Sequence, residues 1–270
     1  MPAKRWRSGL SSVTSTSGNE VALPRPWHAW DGVVIVAETG PRAMIQVTIP
    51  RTDPSAPTNF LVERRGPMVV LDLLVSIQRS HDPMLGFRYS CRIGACGTCT
   101  VRLEGRPVLA CQTVVERTWR SVRIEPLGGL PVVRDLIVDL APFHERWARI
   151  HPSFIPTDEH GGQAPVAPNT PERGAIDPNL DCITCGACFA ACGMASADSP
   201  FLGPAALNRA MVLAADSRDG GVGPRLAAIA GDEGVDGCHG IGACTLVCPK
   251  GLDPAGSIRR LRRWRLRPPA

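Results

Sequence analysis

Cys182-Ile-Thr-Cys185-Gly-Ala-Cys188-Phe-Ala-Ala-Cys192 spaces four cysteines by x2, x2 and x3, and a second stretch, Cys238-His-Gly-Ile-Gly-Ala-Cys244-Thr-Leu-Val-Cys248-Pro249, nearly repeats it. A full copy would carry a cysteine at position 241, where Ile241 stands. The first spacing is the bacterial ferredoxin pattern, whose fourth cysteine ligates the other cluster when two are present. Upstream, Cys91-x4-Cys96-x2-Cys99, followed by Cys111, has the C-x4-C-x2-C…C form of a [2Fe–2S] site. These three runs hold all eleven cysteines of the chain.

Two cuboidal clusters with full thiolate ligation need eight cysteines, and the second and third runs supply four and three. If the fourth cysteine of each run crosses over, Cys182, Cys185, Cys188 and Cys248 hold a complete [4Fe–4S] cluster. Cys192, Cys238 and Cys244 then form a three-thiolate site. It suits a [3Fe–4S] cluster, because an iron facing Ile241 would have no ligand. Cys91, Cys96, Cys99 and Cys111 remain for [2Fe–2S]. The odd cysteine total disfavours a disulfide framework. Zinc competes, since C-x2-C pairs also build tetrahedral four-thiolate sites. Against zinc, x4 then x2 places three thiolates in one tight loop, where Gly94, Ala95 and Gly97 let backbone N–H groups approach the sulfurs. Taken alone, those glycines would read as turn residues.

At 270 residues and 44% apolar content, the chain has room for two modest domains. Six arginines between Arg259 and Arg267 account for the net charge of +5, so the rest is near neutral and a nucleic-acid partner is not expected. No apolar run reaches membrane-spanning length. Thiolate ligands call for a reducing compartment. Residues 1–28 read as an N-terminal extension with no acidic residue before Glu20. That composition is transit-peptide-like, though a disordered bacterial extension accounts for it more simply.

Gly32–Glu38 and Met44–Ile49 read as strands rich in β-branched residues. Met68–Gln78 has Val70, Leu73, Leu74 and Ile77 at helical spacing. Cys99–Leu103, Pro107–Cys111 and Ser121–Ile124 read as short strands, with Glu104-Gly105 as a hairpin turn. Strands and one helix around a cluster loop make a β-grasp ferredoxin domain the economical choice for 29–140. Pro131–Ile150 reads as helical in part and Pro156–Gly174 as a loop. Helices are expected between the later cysteine runs, one starting at Pro204 with Leu207, Met211 and Ala214 on its apolar face, and another over Ser257–Leu266. The fold class is therefore α+β: a β-grasp [2Fe–2S] domain followed by an α-helical ferredoxin-like domain with two cuboidal clusters, over 141–270.

Together Ser90-Cys-Arg-Ile-Gly-Ala-Cys-Gly-Thr-Cys99, Leu127-Gly-Gly-Leu-Pro-Val-Val-Arg-Asp-Leu-Ile-Val-Asp139 and Cys238-His-Gly-Ile-Gly-Ala-Cys-Thr-Leu-Val-Cys-Pro-Lys-Gly251 give the chain a specific likeness. Over about residues 44–258 it resembles the iron–sulfur subunit of succinate dehydrogenases and fumarate reductases, the respiratory complex II family. The resemblance implies the same eleven ligands in the assignment reached by counting. It also implies an FAD-containing flavoprotein partner, a membrane anchor of the cytochrome b type, and electron passage between FAD and quinone. Dicarboxylate chemistry would sit on the partner, since this chain has no GxGxxG motif. The expected location is the cytoplasmic face of the bacterial inner membrane, with the mitochondrial matrix face as the alternative.

Many family members place Pro after the fourth cysteine of the second run and a Trp soon after, which helps bind ubiquinone. Here Cys192-Gly-Met-Ala-Ser-Ala197 has Gly193 and no Trp. Gly193 and Phe201-Leu-Gly-Pro-Ala-Ala-Leu-Asn-Arg209 look more like the menaquinone-linked branch with a dihaem anchor. His239 and Ile241 are candidates for the quinone side, with a surface or helix-capping role as the alternative for His239. Lys250 reads as solvent-facing. Ile258, Leu261 and Trp264 share a helical face that could rest on anionic lipid headgroups or pack on the flavoprotein. Two further functions compete: the wire of another flavoprotein reductase, thiol- or menaquinol-linked, and a free multi-cluster ferredoxin.

Overall fold

Alternating apolar and polar residues build the first layer. In the computed structural model, which describes residues 43–157 and 165–266, strand β1 (Met44–Thr48) buries Ile45 and Val47 and turns Met44 and Gln46 outward. The expected extension 1–28 and the expected strand Gly32–Glu38 lie outside the described residues. β2 (Asn59–Glu63) pairs antiparallel with β1, setting Phe60 opposite Val47. On the other side β5 (Ser121–Glu125) runs parallel to β1, with Val122 opposite Val47. β3 (Thr100–Leu103) and β4 (Arg106–Leu109) form a hairpin whose first strand pairs antiparallel with β5. The five-stranded order is β2-β1-β5-β3-β4.

Helix α1 (Val70–Ser80) lies across this sheet with Val70, Leu73, Leu74 and Ile77 buried in the same core, which is the expected β-grasp arrangement. Glu104 and Gly105, both at positive φ (50° and 76°), form the two-residue turn whose twist matches the flanking strands. The second hairpin strand sits a little earlier than expected. It ends at Leu109, because the Gln112 and Thr113 amides fold back onto the Leu109 carbonyl and carry Cys111 into a turn.

Beyond the sheet, Pro131–Ile150 is helical only from α2 (Ala141–Arg149). Before it, β6 (Val132–Arg134) and β7 (Ile137–Val138) form a small hairpin around Asp135. The expected loop ends early, since α3 (Pro171–Leu180) starts at Pro171 with the Thr170 hydroxyl capping the Arg173 amide. There follow α4 (Ala187–Ala190), α5 (Pro204–Ala214), α6 (Val222–Ala228), a 3₁₀ turn at Val235–Gly237, α7 (Ala243–Leu246) and α8 (Pro254–Leu266). α5 is the hub. Leu207, Ala210, Met211 and Val212 are buried in a second core shared with Phe143, Phe189, Ile258 and Leu261. α8 begins three residues before the expected Ser257 because Pro254 occupies its first turn and the Asp253 carboxylate caps the Gly256 amide at 2.9 Å.

The face Ile258–Leu261–Trp264 corrects an expectation. Ile258 and Leu261 are fully buried in this second core and Trp264 packs against it. Ile258 and Leu261 are therefore covered by the chain's own second core.

Two buried arginines, with three ion pairs between them, hold the loops. In the second half, Arg225 meets Asp219 at 3.1 Å with both side chains fully buried, and its remaining N–H groups donate to the His151 and Ser153 carbonyls. In the first half, Arg51 bridges Asp82 and Asp135. Asp135 sits at φ +49° and also accepts from the amides of Thr52 (3.0 Å) and Gly86 (2.8 Å). Burial alone would raise its pKa, but the hydrogen bonds from Arg51, Gly86 and Thr52 outweigh burial and hold it below the ordinary carboxylate range.

Because that pKa is depressed on folding, the stabilisation is complete above the unfolded-state pKa and is lost as pH falls through the folded value. Asp135→Ala should cost on the order of 3 kcal/mol, since it leaves a buried guanidinium with one partner fewer. A denaturant titration at pH 7 followed by circular dichroism measures this. Repeating it below about pH 4 should show the wild type losing more stability than Asp135→Asn. Parallel losses would remove Asp135 from this role.

Candidate metal centres

The first cysteine set lies on the loop that feeds β3. The Ala95 amide points at Cys91 Sγ at 3.3 Å, and Gln112 reaches back to donate to the Arg92 carbonyl at 3.2 Å. Gly94 takes φ +71°, and a Cβ there would lie 2.9 Å from Gln112 Cγ. The Thr98 hydroxyl, with nearby backbone N–H groups, lowers the Cys96 thiol to about 6, so this ligand is ready as thiolate at neutral pH. Cys99 behaves oppositely. Burial, and then the neighbouring Cys111 and Cys96, push it up to about 11.

The other seven cysteines are gathered around two cavities. One is lined by Cys182, Cys185 and Cys188 of the second run together with Cys248 of the third. The other is lined by Cys238 and Cys244 of the third run together with Cys192 of the second. The structure thus brings together cysteines far apart in sequence, in the crossed grouping that counting suggested. Ile241 and His239 line the second of these cavities, and both are exposed, Ile241 to 75%. Gly193 lies on the same rim. Lys250 is exposed, as expected.

Local geometry explains the grouping. Gly186 (φ +77°) and Gly242 (φ +80°) each precede a four-residue helix, α4 and α7, that begins Ala-Cys and presents Cys188 or Cys244 inward. An ordinary side chain disfavours that left-handed backbone. Burial pushes the Cys182, Cys185, Cys188, Cys192 and Cys244 thiols up, with the neighbouring sulfurs adding to it. Unpaired thiolates are costly in such surroundings. Iron beside them would remove that cost, so the donor set fits a cluster that binds with proton release.

The first set adjoins the second. A Cβ on Gly97, whose φ is +70°, would lie 2.7 Å from Cys185 Cβ and 3.1 Å from the Ile183 carbonyl. Thr100, next to Cys99, also hydrogen-bonds Cys185 and lowers its thiol against the effect of burial. At the far side, Cys188 lies close enough to Cys244 to feel its charge.

Several supporting residues escaped the sequence reading. Asn208, on α5, lines the four-cysteine cavity, donates to the Asn179 carbonyl at 3.1 Å and accepts from Ser257 at 2.8 Å. Arg262 donates to the Val235 carbonyl at 2.8 Å, to Asp236 at 3.1 Å and to the Cys238 carbonyl, so this arginine of the tail holds the third run in place. Thr98 and Thr100 flank cysteines and could have been noticed, but Asn208 and Arg262 carry no local sign.

A family model described as a 2Fe-2S iron-sulfur cluster binding domain matches residues 46–145, and one described as a 4Fe-4S dicluster domain matches 179–252. The fumarate reductase iron-sulfur subunit of Mycobacterium tuberculosis is 38% identical over 195 residues, covering 72% of this chain and 79% of that protein. The succinate dehydrogenase iron-sulfur subunit of Paracoccus denitrificans is 36% identical over 215 residues, covering 78% of this chain and 81% of that protein. Among solved structures, a chain of the Mycobacterium smegmatis Sdh1 complex in the apo form superposes with a TM-score of 0.73 at 26% identity, covering 85% of this chain and 100% of that one. At 36% to 38% identity over most of both proteins, the chain belongs to the iron–sulfur subunits of succinate dehydrogenases and fumarate reductases.

Proposed function

We propose that the chain carries [2Fe–2S] on Cys91, Cys96, Cys99 and Cys111, [4Fe–4S] on Cys182, Cys185, Cys188 and Cys248, and [3Fe–4S] on Cys192, Cys238 and Cys244. When bound, the clusters supply one-electron carriers between an FAD flavoprotein partner and a quinone, menaquinone rather than ubiquinone, at a cytochrome b-type membrane anchor. The crossed grouping of seven cysteines around two cavities is the observation that supports this reading most. The division into 29–140 and 141–270, and a place on the cytoplasmic face of a bacterial inner membrane, belong to the same proposal. Among the described residues no helix is long and apolar enough to cross a membrane.

The chain's own residues do three things here. Gly97 lets the first cysteine loop close on Cys185, which shortens the path between neighbouring centres. Ile241 occupies the place of an eighth cysteine and presents an apolar side chain at the rim of the three-cysteine cavity. His239, exposed on that rim, offers an imidazole for proton delivery where a quinone would dock.

Isolated anaerobically with its membrane partners, the oxidised complex should show a [3Fe–4S] EPR signal that succinate abolishes. Clusters that assemble but stay oxidised with succinate would point to another flavoprotein partner. Ile241→Cys should convert the three-iron centre to [4Fe–4S] and remove its oxidised signal, so an unchanged signal would refute the assignment. His239→Ala should slow quinone turnover while leaving dye-linked succinate oxidation intact, whereas equal losses in both assays would exclude a quinone-side role.

A further inference from the structure

Arg209 lies on α5, next to Asn208, and lines a polar cavity together with Cys182, Ser153, Trp147 and Leu180. Its side chain is half-buried, and its Nε donates to the Pro152 carbonyl at 3.0 Å. Among the described residues, no carboxylate lines this cavity. Asp219, which acts on Arg209 from further off, is already engaged by Arg225. Among the described residues the guanidinium has no carboxylate partner, and it shares the wall of this cavity with a thiol of the second cysteine run.

We propose that Arg209 sets the redox potential of the cluster that Cys182 ligates, making that centre easier to reduce. The inference rests on the assignment of Cys182 to the [4Fe–4S] site. Reduction adds one negative charge to a cluster already carrying four thiolates. A fixed cation in a partly desolvated position stabilises the reduced form more than the oxidised one, and the lower the local dielectric the larger the difference. A compensated arginine such as Arg225 would contribute little, because its partner's charge opposes its own. Arg209 therefore raises the electron affinity of the middle centre without touching iron.

The test is a redox titration of the purified complex by EPR, with the other two clusters as internal references. Arg209→Gln should lower the reduced-to-oxidised ratio of the [4Fe–4S] centre roughly tenfold at a given potential, about 59 mV for a one-electron couple. Arg209→Lys, which keeps the charge, should stay close to wild type. Leu180 is exposed and lines the same cavity, so Leu180→Glu should shift the same centre in the direction of Arg209→Gln, and Leu180→Gln should not. The Leu180 pair decides the matter even if Arg209→Gln fails to assemble the cluster. Intact clusters with no shift in Arg209→Gln or Leu180→Glu, or a Lys variant shifted as far as Gln, would overturn the proposal. A shift confined to the [3Fe–4S] centre would instead show that Cys182 had been assigned to the wrong cluster.

Discussion

Cys248 lies beside Cys182, Cys185 and Cys188, and Cys192 lies beside Cys238 and Cys244, so the second and third cysteine runs must be folded against each other before either cavity exists. Everything else in the second half serves this exchange. α5 supplies the apolar surface that α8 and α3 pack on, and its Asn208 joins Asn179 to Ser257 through two hydrogen bonds. Asp253, which caps α8, accepts from the Thr245 hydroxyl at 2.7 Å and so ties α7 to the same helix start. Pulling α8 away would release Cys244 and Cys248 together, and the hold of Arg262 on Cys238 with them.

The first half meets a different demand. Its [2Fe–2S] loop has to stand out from the sheet, yet be fixed well enough to keep four sulfurs in place. Gln112 anchors the loop from the far side, Gly94 makes room for it, and the Arg51–Asp82–Asp135 cluster ties the β1–β2 loop, the end of α1 and the β6–β7 hairpin together. A buried charged cluster is a poor source of net stability, but it specifies geometry, because parting these groups would leave buried charges without their ionic partners.

The cysteine runs, the β-grasp core and α5 were legible because each leaves a local pattern: fixed spacing, alternation over β1, helical periodicity over α1. What stayed hidden did so for physical reasons. β2 is only Asn59–Glu63, and the exposed Leu61 turns its alternation into an apolar triplet. The β6–β7 hairpin turns on Asp135 at positive φ, whose partners Arg51 and Gly86 are remote in sequence. α3 contains Pro178 and Gly174, which read as loop, and α8 starts in Asp-Pro-Ala-Gly, where the cap rather than the propensity decides. The tail's apolar face was visible, but whether lipid, a partner or the chain itself covered it depended on α5.

The contact of Gly97 with Cys185 also bears on how such a chain can be altered or recombined. Each half resembles a ferredoxin of a common kind, yet any donor loop bearing a side chain at position 97 would collide with the second half at Cys185 and the Ile183 carbonyl. The two halves are therefore not interchangeable modules joined by a tether. They constrain one another at Gly97 among other contacts, and a substitution accepted on one side has to be matched on the other, so the halves are bound to diverge as a pair.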